Sequence, residues 1–186
     1  PDQVNAGFSY YDKEAKHAVK VENFTACVVA VLSGVSGTVK DGDYYNRYYS
    51  NLIYDTRSDT LSVRMFGADK VQFSGLYRDF KDSLPQGVGY TLFFIAYIPE
   101  LKEVVALELT TGLQTAIVRA IAEQTHAKQS QVKLFNLNDL SSKFWCFRFS
   151  GEFEKRDNKG NDWSGTGEMY FMPKIQVLTV TAQKAA

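Results

Sequence analysis

The sequence predicts a mainly β protein: an antiparallel barrel or sandwich of about seven or eight strands with two inserted helices. Three observations carry that expectation. Apolar residues alternate with polar ones over short segments, as Leu61, Val63 and Met65 do with Ser62 and Arg64. Turn-forming clusters such as Asp41-Gly42-Asp43 and Arg156 to Asn161 punctuate those segments. Only two stretches have helical spacing, and they do not alternate with strands as a parallel βαβ sheet requires.

Residues 1–20 are polar without a clear period and read as an amino-terminal arm or loosely attached strand. Residues 21–181 read as a single β-barrel domain, and the small, polar residues 182–186 as a frayed tail. The first strand, Phe24 to Leu32, is rich in Val and ends at a bend or bulge marked by Ser33, Gly34, Ser36 and Gly37. Tyr44 to Asp55 is the next strand, and Leu61 to Phe66 follows after a short loop. Leu76, Tyr77, Phe80 and Leu84 suit a short helix over 76–84, stopped by Pro85 and Gly87. Gly89 to Ile98 is apolar on both faces and so belongs centrally, and Val104 to Thr110 is a further strand. A second helix runs from about Thr111 to Gln124, capped by Thr110 or Thr111, with Leu113, Ile117, Ala120 and Ile121 on its apolar face. Residues 125–142 read as a long excursion or an irregular strand. In Phe144 to Glu154, Trp145, Phe147, Phe149 and Phe153 mark the core face, with Cys146, Arg148, Ser150 and Glu152 on the other. After a hairpin turn, Trp163 to Met172 pairs back and Ile175 to Val180 adds a last segment, with Pro173 implying an edge or a break.

Composition narrows the function. The chain has 186 residues, with Lys plus Arg and Asp plus Glu both 21, so its net charge is zero. That excludes binding driven by bulk charge, whether by a polybasic protein or an acidic mimic. The longest apolar runs, Ala26 to Leu32 and Leu92 to Ile98, are far too short for a membrane-spanning helix. No membrane partner is expected. The first twenty residues lack the apolar segment of a secretory leader, so the expected location is the cytoplasm. Cys27 and Cys146, each inside a hydrophobic strand-like run, read as reduced, buried thiols, with a disulfide as the alternative that the sequence does not imply.

Recognisable catalytic chemistry is missing. There is no phosphate-cradling glycine loop and no nucleophile elbow. His17 and His126 each sit among polar residues with no metal-ligand spacing nearby. The turn Asp157 to Asp162 departs from a calcium loop because Lys159 stands where an oxygen ligand belongs. Glu152, Glu154 and Glu168 form the one carboxylate cluster, and neighbouring Lys155 and Arg156 suit it better to surface ion pairs than to acid–base work. The reading is therefore not an enzyme, with no cofactor and no metal.

The informative segment is Tyr44-Tyr45-Asn46-Arg47-Tyr48-Tyr49-Ser50-Asn51. In a strand Tyr45, Arg47 and Tyr49 share one face, and Tyr44, Asn46 and Tyr48 the other. The next strand adds Arg64 and Phe66 on its wet face, and the late strand adds Arg148 opposite its aromatic core face. Tyr45, Arg47, Tyr49, Arg64, Phe66 and Arg148 are thus the candidate nucleic-acid-binding residues. Rings stack on bases and Arg neutralises phosphate, which suits single-stranded nucleic acid. The competing structural account is that cross-strand rings stabilise sheets and Arg covers them.

The order of elements also points to an antiparallel OB-like barrel: a short helix at 76–84 follows three strands and precedes the strand at 89–98. Tyr49-Ser50-Asn51, Asp55-Thr56, Leu61-Ser62-Val63-Arg64, Gly75-Leu76-Tyr77-Arg78-Asp79-Phe80-Lys81 and Leu107-Glu108-Leu109 resemble the scaffold of single-stranded-DNA-binding proteins carried by phages and mobile elements. The resemblance covers roughly residues 44–120. It implies an OB-fold that coats single-stranded DNA during replication or recombination, in the host cytoplasm if phage-encoded. Bacterial relatives of that kind end in an acidic partner-recruiting tail, whereas this chain ends Thr-Ala-Gln-Lys-Ala-Ala, so recruitment by such a tail is not expected. The main alternative is a structural or assembly protein, such as a virion component or filament subunit, and a homo-oligomer fits either reading. A sugar-binding barrel and a hydrolase using the Glu cluster are the remaining alternatives.

Overall fold

A computed structural model describes residues 7–12, 14–139, 143–178 and 180–181. The expected tail, 182–186, and the first six residues of the expected arm lie outside the described residues. In chain order the strands are β1 (Phe8–Asp12), β2 (His17–Val21), β3 (Phe24–Asp41), β4 (Tyr44–Ser50), β5 (Leu61–Met65), β6 (Val71–Gly75), β7 (Val88–Ile98), β8 (Glu103–Leu109), β9 (Lys143–Phe144), β10 (Cys146–Arg156), β11 (Tyr170–Val177) and β12 (Val180–Thr181). The helices are α1 (Tyr77–Phe80), continued by a 3-10 turn over Lys81–Ser83, and α2 (Thr111–Thr125). The protein is mainly β with two helices, as the alternation implied. Every pairing whose register is defined is antiparallel.

The chain divides into two compact units. Unit one holds Pro1–Ala30, Ile95–Val105 and Leu109–Ala186; unit two holds Val31–Phe94 and Ala106–Glu108. The boundary falls inside strands, where no composition shift or linker advertises it.

In unit one, residues 8–21 are a β-hairpin rather than a loose arm, paired from Phe8↔Val21 to Asp12↔His17. The Asp12 carboxylate accepts the backbone N–H groups of Glu14 and Ala15 at 2.8 and 3.0 Å, which tightens the turn. Phe8 anchors the hairpin: it is buried, 4.8 Å edge-on to Phe24 and 5.0 Å from Phe153. The start of β3 pairs with β10, and β10 pairs with β11. Phe147 and Phe149 are fully buried, each contributing about 1.5–3 kcal/mol by burial. The expected core face of this strand is thereby observed. Strand β11 begins at Tyr170, not Trp163, and continues through Pro173, which lies opposite Phe153. Pro173 is tolerated because β11 is the end strand of the order β11-β10-β3 and the register shifts between Phe149 and Phe153. In α2, the Thr110 hydroxyl caps by accepting from Leu113 N at 3.4 Å, and Leu113, Ile117 and Ile121 are buried.

The strands that contribute residues to unit two follow the order β8-β7-β3-β4-β5-β6. Among the described residues the ends of that order do not pair, so the sheet is open. Val35, Ile53, Leu61, Val63, Phe80 and Val88 form its core, with Tyr48, Phe73 and Tyr77 packed against them. The strand expected to stop at Leu32 runs on to Asp41. Its glycine at 37 serves close approach: an added Cβ would fall on Gly87 O and 2.5 Å from Val88 Cα. Strand β4 ends at Ser50 rather than Asp55 because Asn51 takes over the pairing. Its Oδ1 accepts from Ser62 N at 2.7 Å and its Nδ2 donates to Thr60 O at 3.0 Å. No helix among the described residues is long and apolar enough to cross a membrane.

Candidate nucleic-acid interface

Strands β3 and β4 are joined by the two-residue loop Gly42-Asp43, with Asp41 paired to Tyr44. Gly42 has φ +60°, the left-handed conformation that a primed hairpin turn demands at its first position. The turn sets the register. Tyr45 lies opposite Lys40, Arg47 opposite Thr38, and Tyr49 opposite Ser36. On the other edge of β4, Tyr49 lies opposite Arg64 of β5.

Alternation then separates the side chains. Tyr45, Arg47 and Tyr49 are exposed, whereas Tyr48 turns inward against the core. Tyr45 is 69% exposed and Tyr49 42%. Just past β5, Phe66 donates its N–H to Arg47 O at 2.7 Å, and its ring, 75% exposed, stands 6.5 Å from that of Tyr49 at 62°. The two exposed rings stand side by side on this face. Tyr44, at the hairpin tip, is 79% exposed. Of the four tyrosines in the segment, three are therefore free for contact and Tyr48 belongs to the core.

Glu108 organises the cations. Its Oε1 accepts from Ser36 Oγ at 2.5 Å and its Oε2 from Arg47 Nη2 at 2.9 Å. Arg47 is thus held beside the rings while its side chain stays 63% exposed. Arg64 has no carboxylate partner among the described residues, and Lys40 is exposed. Arg47, paired with Glu108, and Arg64, opposite Tyr49, thus stand beside the rings, with Lys40 opposite Tyr45.

Five of the six predicted residues, Tyr45, Arg47, Tyr49, Arg64 and Phe66, are brought together in unit two. Arg148 belongs to unit one. There its Nη1 donates to Thr25 Oγ1 at 3.2 Å and forms an ion pair with Glu100, whose carboxylate also accepts Thr25 N at 3.0 Å. Lys40 and Glu108 were missed. The Gly42 turn is the signal that would have placed Lys40 opposite Tyr45; nothing local announces Glu108, which reaches Arg47 across 61 residues of sequence.

Two of the three carboxylates of the Glu cluster are engaged in ion pairs and hydrogen bonds. Glu154 pairs with Lys174 at 2.9 Å and with Arg156, and these partners hold its carboxyl below the usual range. Glu168 accepts from the Tyr170 hydroxyl at 2.9 Å. Among the described residues no three His, Cys, Asp or Glu side chains are grouped to hold a metal.

No protein-family model, no curated protein and no solved structure matches this chain.

Proposed function

We propose that unit two binds single-stranded DNA without catalysis, in replication or recombination. One observation carries the reading: Tyr45, Arg47 and Tyr49 emerge from one face of β4, with Arg64 directly opposite and Phe66 alongside. Rings at strand spacing accept successive bases, and the guanidinium groups meet the phosphates between them. The order β8-β7-β3-β4-β5, with α1 ahead of β7, supports an OB-like unit whose closing pairing is absent among the described residues. In that plan the second and third strands carry the nucleic-acid face, and here they are β4 and β5.

A gel shift tests this with a poly-pyrimidine oligonucleotide against a duplex of equal length. The single strand is retarded, tyrosine fluorescence is quenched, and affinity falls with salt. Equal binding of both, or of neither, refutes the reading. Self-assembly seen by light scattering without any nucleic acid supports the assembly alternative, for which the outer edge of β6, unpaired among the described residues, offers a site for strand addition.

A further inference from the structure

Cys27 on β3 and Cys146 on β10 are directly opposite each other in the antiparallel register. The backbone bond beside them runs from Val28 N to Trp145 O at 2.8 Å, so the two cysteines occupy a non-hydrogen-bonded pair. At such a pair the Cα atoms approach to about 4.5 Å and the side chains lie closest. That separation is inside the range a disulfide spans. The sulfurs are 2.7 Å apart, and both are free thiols.

The two thiols differ in environment. Cys146 is buried, and burial together with the neighbouring Cys27 sulfur pushes its thiol up to about 12. Cys27 is only half-buried, on the strand face that also carries the exposed Val29, while Ala26 and Val28 fill the core on the opposite face. Access therefore favours Cys27 as the attacking sulfur.

We propose that Cys27 and Cys146 form a redox-active pair that a low-molecular-weight disulfide converts into a cross-strand disulfide. The Cys27 thiolate attacks one sulfur of the reagent, breaking its S–S bond and releasing one thiol. Cys146 then gives up its proton and attacks Cys27 Sγ, releasing the second thiol. Two protein thiols lose two electrons and two protons, and the reagent disulfide becomes two thiols. The new bond closes a loop that contains every residue of unit two, so it restrains the unfolded chain over a long span.

The test is to equilibrate the full chain with excess glutathione disulfide, block remaining thiols by alkylation under denaturing conditions, and measure intact mass. The expected product has lost two hydrogens, takes up no alkylating agent, and yields a peptide linking residues 27 and 146. It reverts with dithiothreitol. Full alkylation of both cysteines, or a glutathione adduct that persists on the unsubstituted chain, overturns the proposal. Cys146→Ser is expected to stall as the adduct at Cys27, and Cys27→Ser to stay unmodified over the same time. If Cys27→Ser reacts as fast as Cys146→Ser, the order of attack is wrong. The unsubstituted chain decides the main question whether or not either variant folds.

Discussion

Tyr45→Ala separates a binding ring from a structural one. Tyr45 is 69% exposed and lies opposite Lys40 near the end of a hairpin, outside the core cluster of unit two. A surface substitution of this kind changes stability by about 0.5 kcal/mol or less. The same ring stacked on a base is worth about 1–3 kcal/mol, which corresponds to roughly 5- to 150-fold in dissociation constant. Fluorescence titration with a poly-pyrimidine oligonucleotide at several salt concentrations supplies the assay. Binding is expected to weaken within that range while the slope of log affinity against log salt stays unchanged, because no charge is removed. Arg64→Ala serves as the contrast: it removes one phosphate contact and flattens the slope by about 0.7. An unchanged dissociation constant for Tyr45→Ala in a chain that melts normally refutes the stacking argument. A changed slope for that variant refutes the division of labour between rings and cations.

Three other outcomes follow from the geometry. Glu108→Gln keeps a side-chain acceptor for Ser36 and removes the charge facing Arg47, so single-strand affinity rises and its salt slope steepens by about 0.7. Gly37→Ala forces a Cβ onto backbone atoms of Gly87 and Val88 and costs about 1–3 kcal/mol, read as a lowered midpoint in urea unfolding. The Arg57 side chain, followed by the Arg57 backbone N–H, depresses the Asp55 carboxyl to about 2. A depressed acid stabilises the fold above its unfolded value of 3.8 and loses that effect as pH falls through about 2. NMR titration of the Asp55 carboxyl, with loss of the Arg57 contact over that window, checks it; a midpoint near 3.8 removes the pair from the account.

Legibility varied with how local each cause was. Helix α2 was readable because Leu113, Ile117 and Ile121 repeat at helical spacing and Thr110 precedes them as a cap. Strand β6 was not, since five residues with Gly75 at the end carry little periodicity; it forms because β5 offers it an edge. Alternation correctly put Tyr45, Arg47 and Tyr49 on one face, yet could not say that the opposite face would bury Tyr48. For Arg148 the alternation gave no hint of Glu100, which arrives from 48 residues away along the chain. The amino-terminal hairpin is hard to read in the sequence because most of its residues are polar, and Phe8 is its buried anchor.

Side-chain periodicity belongs to a single segment, so the sequence by itself determined that this chain is mainly β, which residues alternate on each strand, and that its zero net charge leaves binding to local patches. Which patches exist depends on register between segments remote in sequence. Only the tertiary structure set Arg64 opposite Tyr49, gave Glu108 to Arg47, withdrew Arg148 into an ion pair of unit one, and placed Cys27 against Cys146. Pairing energies of that kind arise when distant strands meet, and no local pattern records them.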